Sequence, residues 1–333
     1  MEYFHEPVLL QEVLHYVNPQ PGQNFVDATL GAGGYSLELL KQVQPGGKVL
    51  SVDLDAEAVK NYELRIKSAR GGSERIMLGL SPSKLMFSGG NNAIIVHGNF
   101  RELSKIVEKH KFNNISGIVA DLGFSSPQLD ESGRGFSFQK KEPLDMRLDI
   151  SSQGRDANFI LNNESLKALV KIFKDYGEER FALAIAKKIV QSRTVTPFHY
   201  TTDLTDVIKL ALPKPKQHLW ADSARRIFQS LRIAVNHELE NLQEFLPQAL
   251  DIINPGGFIA VVSFQSLEDR IVKQFFVAAS QGCVCPIDFP ECVCGRNPKG
   301  KILTKKPIRP SEEEIKNNSR SKPAKLRVLQ KIK

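Results

Sequence analysis

Short apolar runs alternate with amphipathic segments along the first 122 residues of this 333-residue chain. Four of these runs are bounded by turn residues and predict buried strands: 24–29, 48–54, 93–98 and 115–122. Segments with helical periodicity lie between them, for example 36–42 and 100–109. Because parallel strands need a crossover, usually a helix, the alternation predicts a doubly wound α/β sheet.

Beyond residue 128 the strand pattern gives way to helical periodicity. Apolar residues recur at i, i+3, i+4 and i+7, most clearly from Leu166, and this spacing continues to about residue 213. We therefore predict a helical domain, 136–217, inserted into a discontinuous α/β domain formed by 1–135 and 218–333. A stretch rich in glycine and serine, 68–92, is predicted to be a surface loop.

The α/β pattern resumes after the predicted insertion. Its segments are, in order, a helical stripe at 223–246, a turn at 254–257, an apolar strand at 258–264, a helix at 266–277 and an alternating strand at 326–330. The last of these predicts an antiparallel edge strand, an addition that is common on otherwise parallel sheets.

A glycine-rich turn, DATLGAGGY, follows the first predicted strand. Gly31 and Gly33 have the spacing of a dinucleotide fingerprint, but Ser36 stands at the third glycine position and the extra glycine is Gly34. The second strand ends in Asp53, an acid that can hold two ribose hydroxyls. The sequence contains no G-x-x-x-x-G-K-[ST] phosphate loop. The pattern favours an adenosine cofactor without phosphate, with S-adenosylmethionine the obvious candidate, although a plain turn is the alternative.

Composition and charge narrow the class of protein. Hydrophobic residues make up 41% and charged residues 25%, as in ordinary globular proteins, and no apolar run is long enough to span a membrane. The N-terminus has no signal or transit pattern, so we expect a cytoplasmic protein. From Gly295 to Lys333, thirteen Lys or Arg face three Glu, which accounts for the net charge of +8. Most of these positive charges lie in 295–325, and this basic tail segment is suited to binding a nucleic acid; a solvated tail is the alternative.

The four cysteines form two C-x-C pairs: Cys283, Cys285, Cys292 and Cys294. Metal sites usually use C-x-x-C, whose two-residue gap turns both sulfurs inward. The tighter spacing predicts reduced thiols and no bound metal, with structural zinc as the alternative.

Three side chains at predicted strand ends could take part in ligand binding, because ligands of open α/β sheets lie at the carboxyl ends of the strands. Asp53 ends the second strand, Phe100 follows the third and could stack on adenine, and Asp121 ends the fourth. The alternatives are a turn cap for Asp121 and an ordinary core aromatic for Phe100.

Seven segments in series also match one known family: HEPVLL from His5, DATLGAGGY from Asp27, DLGFSSPQLD from Asp121, RGFSF from Arg134, PLDMR from Pro143, YGEER from Tyr176 and SFQSLEDR from Ser263. Through nearly its whole length the chain closely resembles the bacterial 16S rRNA (cytosine-N(4)) methyltransferases of the RsmH/MraW family. The resemblance implies a Rossmann-like fold with an inserted helical domain. It also implies S-adenosylmethionine-dependent methylation of a decoding-centre cytosine of 16S rRNA, in the small ribosomal subunit.

The resemblance also implies roles for individual residues. The implied cofactor-binding residues are Gly33, Gly34, Tyr35, Asp53, Phe100, Asp121 and Gln128. The helical domain is expected to recognise RNA, and the candidates for gripping its backbone are Arg134, Arg147 and Arg180, with surface salt bridges as the alternative for each.

Methylation of cytosine N4 requires help, because this amine is conjugated and weakly basic. A hydrogen-bond acceptor would add electron density to the attacking nitrogen, and the candidates are Asp121, Ser125 and Ser126. Two other functions stay open at this point. They are a non-catalytic RNA-binding assembly factor, and an amine methyltransferase that acts on DNA or protein. The sequence also leaves a homodimer open.

Overall fold

Seven strands form one sheet in the computed structural model, which describes residues 7–69, 92–124, 132–151, 154–285 and 294–332. The strands are β1 (Asn24–Asp27), β2 (Lys48–Asp53), β3 (Ala93–His97), β4 (Ile115–Asp121), β5 (Ile253–Ser263), β6 (Gly300–Ile302) and β7 (Lys325–Lys331). Their order in space is β3-β2-β1-β4-β5-β7-β6. The first five are mutually parallel and the last two run antiparallel to their neighbours.

The parallel strands form where apolar runs are buried on both faces of the sheet. Phe25 and Val26 of β1 and Ile118 and Val119 of β4 are inaccessible to solvent, as two-sided burial requires. The four strands predicted in the first half are all present, each within two residues of the predicted bounds. The predicted doubly wound, Rossmann-like α/β fold is confirmed.

The strands formed by the C-terminal part of the chain differ from prediction in their order and their bounds. β7 is antiparallel as expected, but it lies between β5 and β6 and is not the edge strand. β6 is only three residues long, too short to show a period-2 pattern. The predicted turn at 254–257 lies within β5, where the pairing with β4 shifts register between Ile115 and Gly117.

Twelve helices accompany the sheet in the described ranges. They are α1 (Leu10–Val17), α2 (Gly34–Gln42), α3 (Ala56–Ala69), α4 (Leu103–Lys109), α5 (Ala157–Asn163), α6 (Leu166–Asp175), α7 (Ala182–Arg193), α8 (Thr201–Ala211), α9 (Trp220–Asn236), α10 (Glu238–Ile252), α11 (Ser266–Ser280) and α12 (Glu312–Asn317). None of them combines the length and the hydropathy that a bilayer-spanning segment needs.

The chain divides into two compact units, Met1–Gly123 with Asn241–Lys333, and Phe124–Glu240. The first contains the sheet, and the second is helical with its own apolar core. The sequence prediction of 136–217 omitted α9 from the helical part. Ile227 and Leu231 of α9 are buried in the helical core. In the sequence, their apolar stripe looks the same as the stripe of a helix that covers a sheet. Moreover, His237 has φ of 53° and ends α9, so the predicted helix 223–246 is two helices.

Most of the predicted surface loop, 68–92, lies outside the described residues. The basic tail segment, 295–325, contains β6 and α12, so part of it belongs to regular structure.

Candidate cofactor site

The turn between β1 and α2 requires glycine for reasons internal to the protein. Gly31 and Gly33 have φ of 50° and 81°, in the left-handed region. A Cβ on Gly33 would lie 2.2 Å from the buried ring of Tyr62 in α3. A Cβ on Gly34 would lie 2.2 Å from the ring of Pro7. The sequence pattern favoured a ligand as the reason for these glycines, whereas at Gly33 and Gly34 neighbouring side chains fill the space.

Asp53 at the end of β2 holds this turn in place. Its Oδ2 accepts a hydrogen bond of 2.7 Å from the N–H of Gly31, and its Oδ1 accepts one of 2.8 Å from the N–H of Asp55. The N–H of Gly33 donates to the carbonyl of Leu30 at 2.7 Å. In dinucleotide-binding proteins, amides of this turn bind pyrophosphate. Here the amides of Gly31 and Gly33 bond within the protein.

Asp27 at the end of β1 is a second carboxylate of the site, although in the sequence it stands out only as the first residue of the glycine motif. It is fully buried and accepts a hydrogen bond of 2.5 Å from Ser36 Oγ. Ser36 also contacts Ser51 Oγ at 2.7 Å. The residue at the third glycine position of the fingerprint is therefore a polar bridge between β1 and β2. An acid directly after an apolar run was the available signal for Asp27.

Asp121 at the end of β4 is the third carboxylate. Its N–H donates to Thr29 Oγ1 at 2.6 Å, which ties the ends of β4 and β1 together. Its Oδ1 accepts a hydrogen bond of 3.3 Å from the N–H of Gly123. The turn-capping alternative is thus realised, but a long bond to one oxygen leaves the carboxylate with further acceptor capacity.

In the absence of a ligand, the three carboxylates release their protons at a higher pH than an exposed aspartate does. Burial, the largest cause, raises the pKa of Asp27 and of Asp53 to about 6 and that of Asp121 to about 7. The charge of Asp53 further raises the pKa of Asp27, and the charge of Asp27 raises that of Asp121. A cation would relieve this repulsion, whereas a phosphate would add to it. The site therefore fits the cationic sulfonium of S-adenosylmethionine better than a dinucleotide.

These pKa values predict a pH-dependent cofactor affinity. Protonation removes the negative charge that attracts a sulfonium, so the Kd for S-adenosylmethionine should rise by at least about tenfold from pH 8 to pH 5. Isothermal titration calorimetry across this range measures the change. A Kd that is constant over the range would contradict the electrostatic account.

The stability of the ligand-free protein should respond in the opposite direction. The folded-state pKa values of Asp27, Asp53 and Asp121 lie above the ordinary value of 3.8. Their contribution to the free energy of unfolding is therefore fully present below about pH 4 and lost as the pH rises through 6 to 7. Because cofactor affinity and this contribution to the free energy of unfolding change with pH in opposite directions, weaker binding at low pH can be distinguished from acid unfolding.

Tyr35 and Phe100, two predicted cofactor contacts, are partly committed to the protein interior. The Tyr35 side chain is buried and its hydroxyl donates to the carbonyl of Val8, so only its backbone is available at the turn. Phe100 is half-buried and its ring meets that of Phe245 edge-on at 5.2 Å. One part of the Phe100 ring therefore packs as an ordinary core aromatic would, and the other part is accessible.

The three predicted RNA-gripping arginines lie in the helical unit in different environments. Arg134 is buried, and its Nη1 donates to the carbonyls of Arg147 and Leu148 at 3.1 and 2.9 Å. The Arg147 side chain forms a two-bond ion pair with Asp145, both bonds 2.8 Å long. Arg180 is exposed. Contact with phosphate stays a prediction for all three, and only Arg180 presents an exposed side chain.

Three other predicted site residues, Ser125, Ser126 and Gln128, lie outside the described residues. They follow Asp121 closely in the sequence.

Comparison with known proteins identifies the family. The MraW methylase family matches residues 2–332. Ribosomal RNA small subunit methyltransferase H of Halothermothrix orenii is 42% identical over 328 residues, 98% of each chain. The enzyme of the same name from Heliobacterium mobile is 43% identical over the whole of both chains. A crystallised rRNA methylase from Streptococcus thermophilus aligns over 98% of both chains with 11% identity and a TM-score of 0.39. The chain belongs to the MraW methylase family.

Proposed function

We propose that this methylase transfers the methyl group of S-adenosylmethionine to the exocyclic N4 amine of a decoding-centre cytosine in 16S rRNA. The relatives named as small-subunit rRNA methyltransferases align along the whole chain and support this substrate. The observation that carries the cofactor assignment is the cluster of three carboxylates at the ends of β1, β2 and β4, beside a turn whose Gly31 and Gly33 amides are already bonded.

The cofactor supplies a methyl group that is activated by a sulfonium leaving group. Asp53 is the residue we assign to the ribose hydroxyls, because its two oxygens each have lone pairs beyond the bonds to Gly31 and Asp55. The backbone from Gly33 to Tyr35 would border the cofactor, and the exposed part of Phe100 would contact adenine. Gln128 is retained as a predicted contact.

Asp121 is the residue we assign to the target amine. Its carboxylate, once ionised, can accept a hydrogen bond from N4 and so raise the electron density on the attacking nitrogen. With a pKa of about 7 in the ligand-free protein, a nearby positive charge favours the ionised form at neutral pH. Ser125 and Ser126 are further predicted acceptors.

The helical unit and the basic tail segment are the parts that we assign to RNA. A base in a helix must leave its stack before its amine can be methylated, so the enzyme has to hold the flanking backbone. Exposed Arg180 is the arginine we favour for that contact. The tail segment would add phosphate attraction that weakens with salt. We propose a cytoplasmic enzyme acting on the small subunit; a homodimer stays a prediction that sedimentation can test.

Replacement of Asp53 should weaken cofactor binding. We expect Asp53→Ala to raise the Kd for S-adenosylmethionine by about 5- to 150-fold, the equivalent of about 1–3 kcal/mol for lost charged hydrogen bonds. Asp53→Asn is the matched variant, because it keeps one of the two acceptors used by the turn while it removes the charge. Calorimetric titration measures both. A Kd within twofold of wild type for Asp53→Ala would contradict the ribose role.

The substrate is tested by supplying methyl-labelled cofactor with small ribosomal subunits, naked 16S rRNA, DNA and a protein extract. We expect label on one cytosine of 16S rRNA, located by nuclease mapping and mass spectrometry. Label in DNA or protein would instead favour the alternative amine methyltransferase. Saturable cofactor binding without transfer to any of the four would favour an assembly factor.

A further inference from the structure

The structure brings three cysteines together in the segment between α11 and β6. The Sγ atoms of Cys283, Cys285 and Cys294 all lie within 4.8 Å of one another. The N–H of Lys299 donates a hydrogen bond of 2.8 Å to the carbonyl of Ala279, which holds the two ends of the segment together. The tight C-x-C spacing favoured reduced thiols without a metal, but Cys294 approaches Cys283 and Cys285 from a later position in the sequence.

The distances fit shared metal ligands. Cys283 Sγ and Cys294 Sγ are 3.7 Å apart. Two thiolates on a tetrahedral zinc, with Zn–S bonds of about 2.3 Å, are about 3.8 Å apart. A disulfide would require about 2.05 Å.

The local backbone also fits a metal-bound thiolate. The N–H of Cys285 donates to Cys283 Sγ at 3.4 Å, a bond that stabilises a negatively charged sulfur. Gly295 follows Cys294 with φ of 59°, a left-handed turn that glycine adopts at no steric cost.

We propose that Cys283, Cys285 and Cys294 supply three of the four ligands of a structural zinc ion. Thiolate ligands favour zinc over the oxygen-seeking cations calcium and magnesium. On binding, each of the three thiols releases its proton and forms one Zn–S bond, with no change of oxidation state. The ion would link residues just after α11 to a residue shortly before β6. This proposal does not depend on the methyl-transfer proposal.

Metal content of the purified full chain provides the first test. We expect about one zinc per chain by plasma mass spectrometry after expression without added metal. Cys283→Ser combined with Cys294→Ser should lower the content at least tenfold. Val284→Ala, which changes an exposed residue between two ligands and removes no sulfur, should retain it. Wild-type protein with no zinc above the buffer background, or with Cys283 and Cys294 joined in a disulfide, would overturn the proposal.

A second test does not rely on any variant. Cobalt(II) added to chelator-stripped wild-type protein should give the visible absorption of a tetrahedral thiolate complex, and added zinc should abolish it. Chelation should also lower the thermal midpoint by several degrees while cofactor binding persists. Folded protein that shows no thiolate absorption in excess cobalt(II) would overturn the proposal.

Discussion

Asp121→Asn should lower kcat for methyl transfer by about 10²- to 10³-fold, the usual effect of removing a group that stabilises developing charge in the transition state. Asparagine has almost the same volume, and its amide oxygen can still accept the hydrogen bond from Gly123. The substitution therefore removes the negative charge near the target amine with little change to the turn. Single-turnover transfer of labelled methyl to small subunits measures the effect on the chemical step.

Separate measurements distinguish this role from a general loss of cofactor binding. The Kd for S-adenosylmethionine should change much less in Asp121→Asn than in Asp53→Ala. If Asp121→Asn retains kcat within twofold of wild type, Asp121 is not the acceptor. Ser125 and Ser126 are then the next candidates to test. If kcat falls only in proportion to cofactor occupancy, Asp121 acts on the cofactor and not on the amine.

Gly33→Ala should destabilise the protein by about 2–5 kcal/mol, combining about 1–2 for a left-handed non-glycine residue with about 1–3 for overpacking. The added methyl would lie 2.2 Å from the ring of Tyr62, which is 2% exposed and cannot move into solvent without opening the core. We also expect weaker cofactor binding, because the turn that Asp53 fixes would shift. Denaturant unfolding followed by fluorescence measures the stability.

Gly22→Ala is the matched control for this prediction. Gly22 has φ of 83°, close to the 81° of Gly33, but among the described residues, its chain neighbours aside, no atom lies within 4 Å of the position of the new methyl group. It should therefore cost only the backbone part, about 1–2 kcal/mol, and leave cofactor binding unchanged. Equal destabilisation by the two substitutions would show that contact with Tyr62 contributes nothing.

The sequence predicted the strands of the parallel sheet well because their burial leaves a local mark. Apolar runs ending at Asp27, Asp53 and Asp121 are visible without any knowledge of long-range contacts. β6 was not predicted, because a three-residue strand has no detectable period and its pairing partner, β7, is not adjacent in the sequence. The division at Glu240 escaped because a stripe such as that of Ile227 and Leu231 does not reveal which core will cover it.

The candidate site was predictable as a set of strand ends but not as a network. Asp53 and Asp121 follow directly from the position of parallel strands. The pairing of Ser36 with Asp27, and the contact of Gly33 with Tyr62, join residues from different elements and leave no signal in the spacing. For the cysteines, spacing alone did not reveal that Cys283 and Cys294 lie in contact, because they are eleven residues apart in the sequence.

The position of β7 has a consequence for how the sheet assembles. This strand, Lys325–Lys331, pairs with both β5 and β6, although β5 lies far before it in the sequence. Until β7 pairs with it, β5 has one side with unpaired N–H and C=O groups, which is the kind of edge on which other chains can add. Completion of this half of the sheet therefore depends on a contact between distant segments, and such contacts form more slowly than local ones.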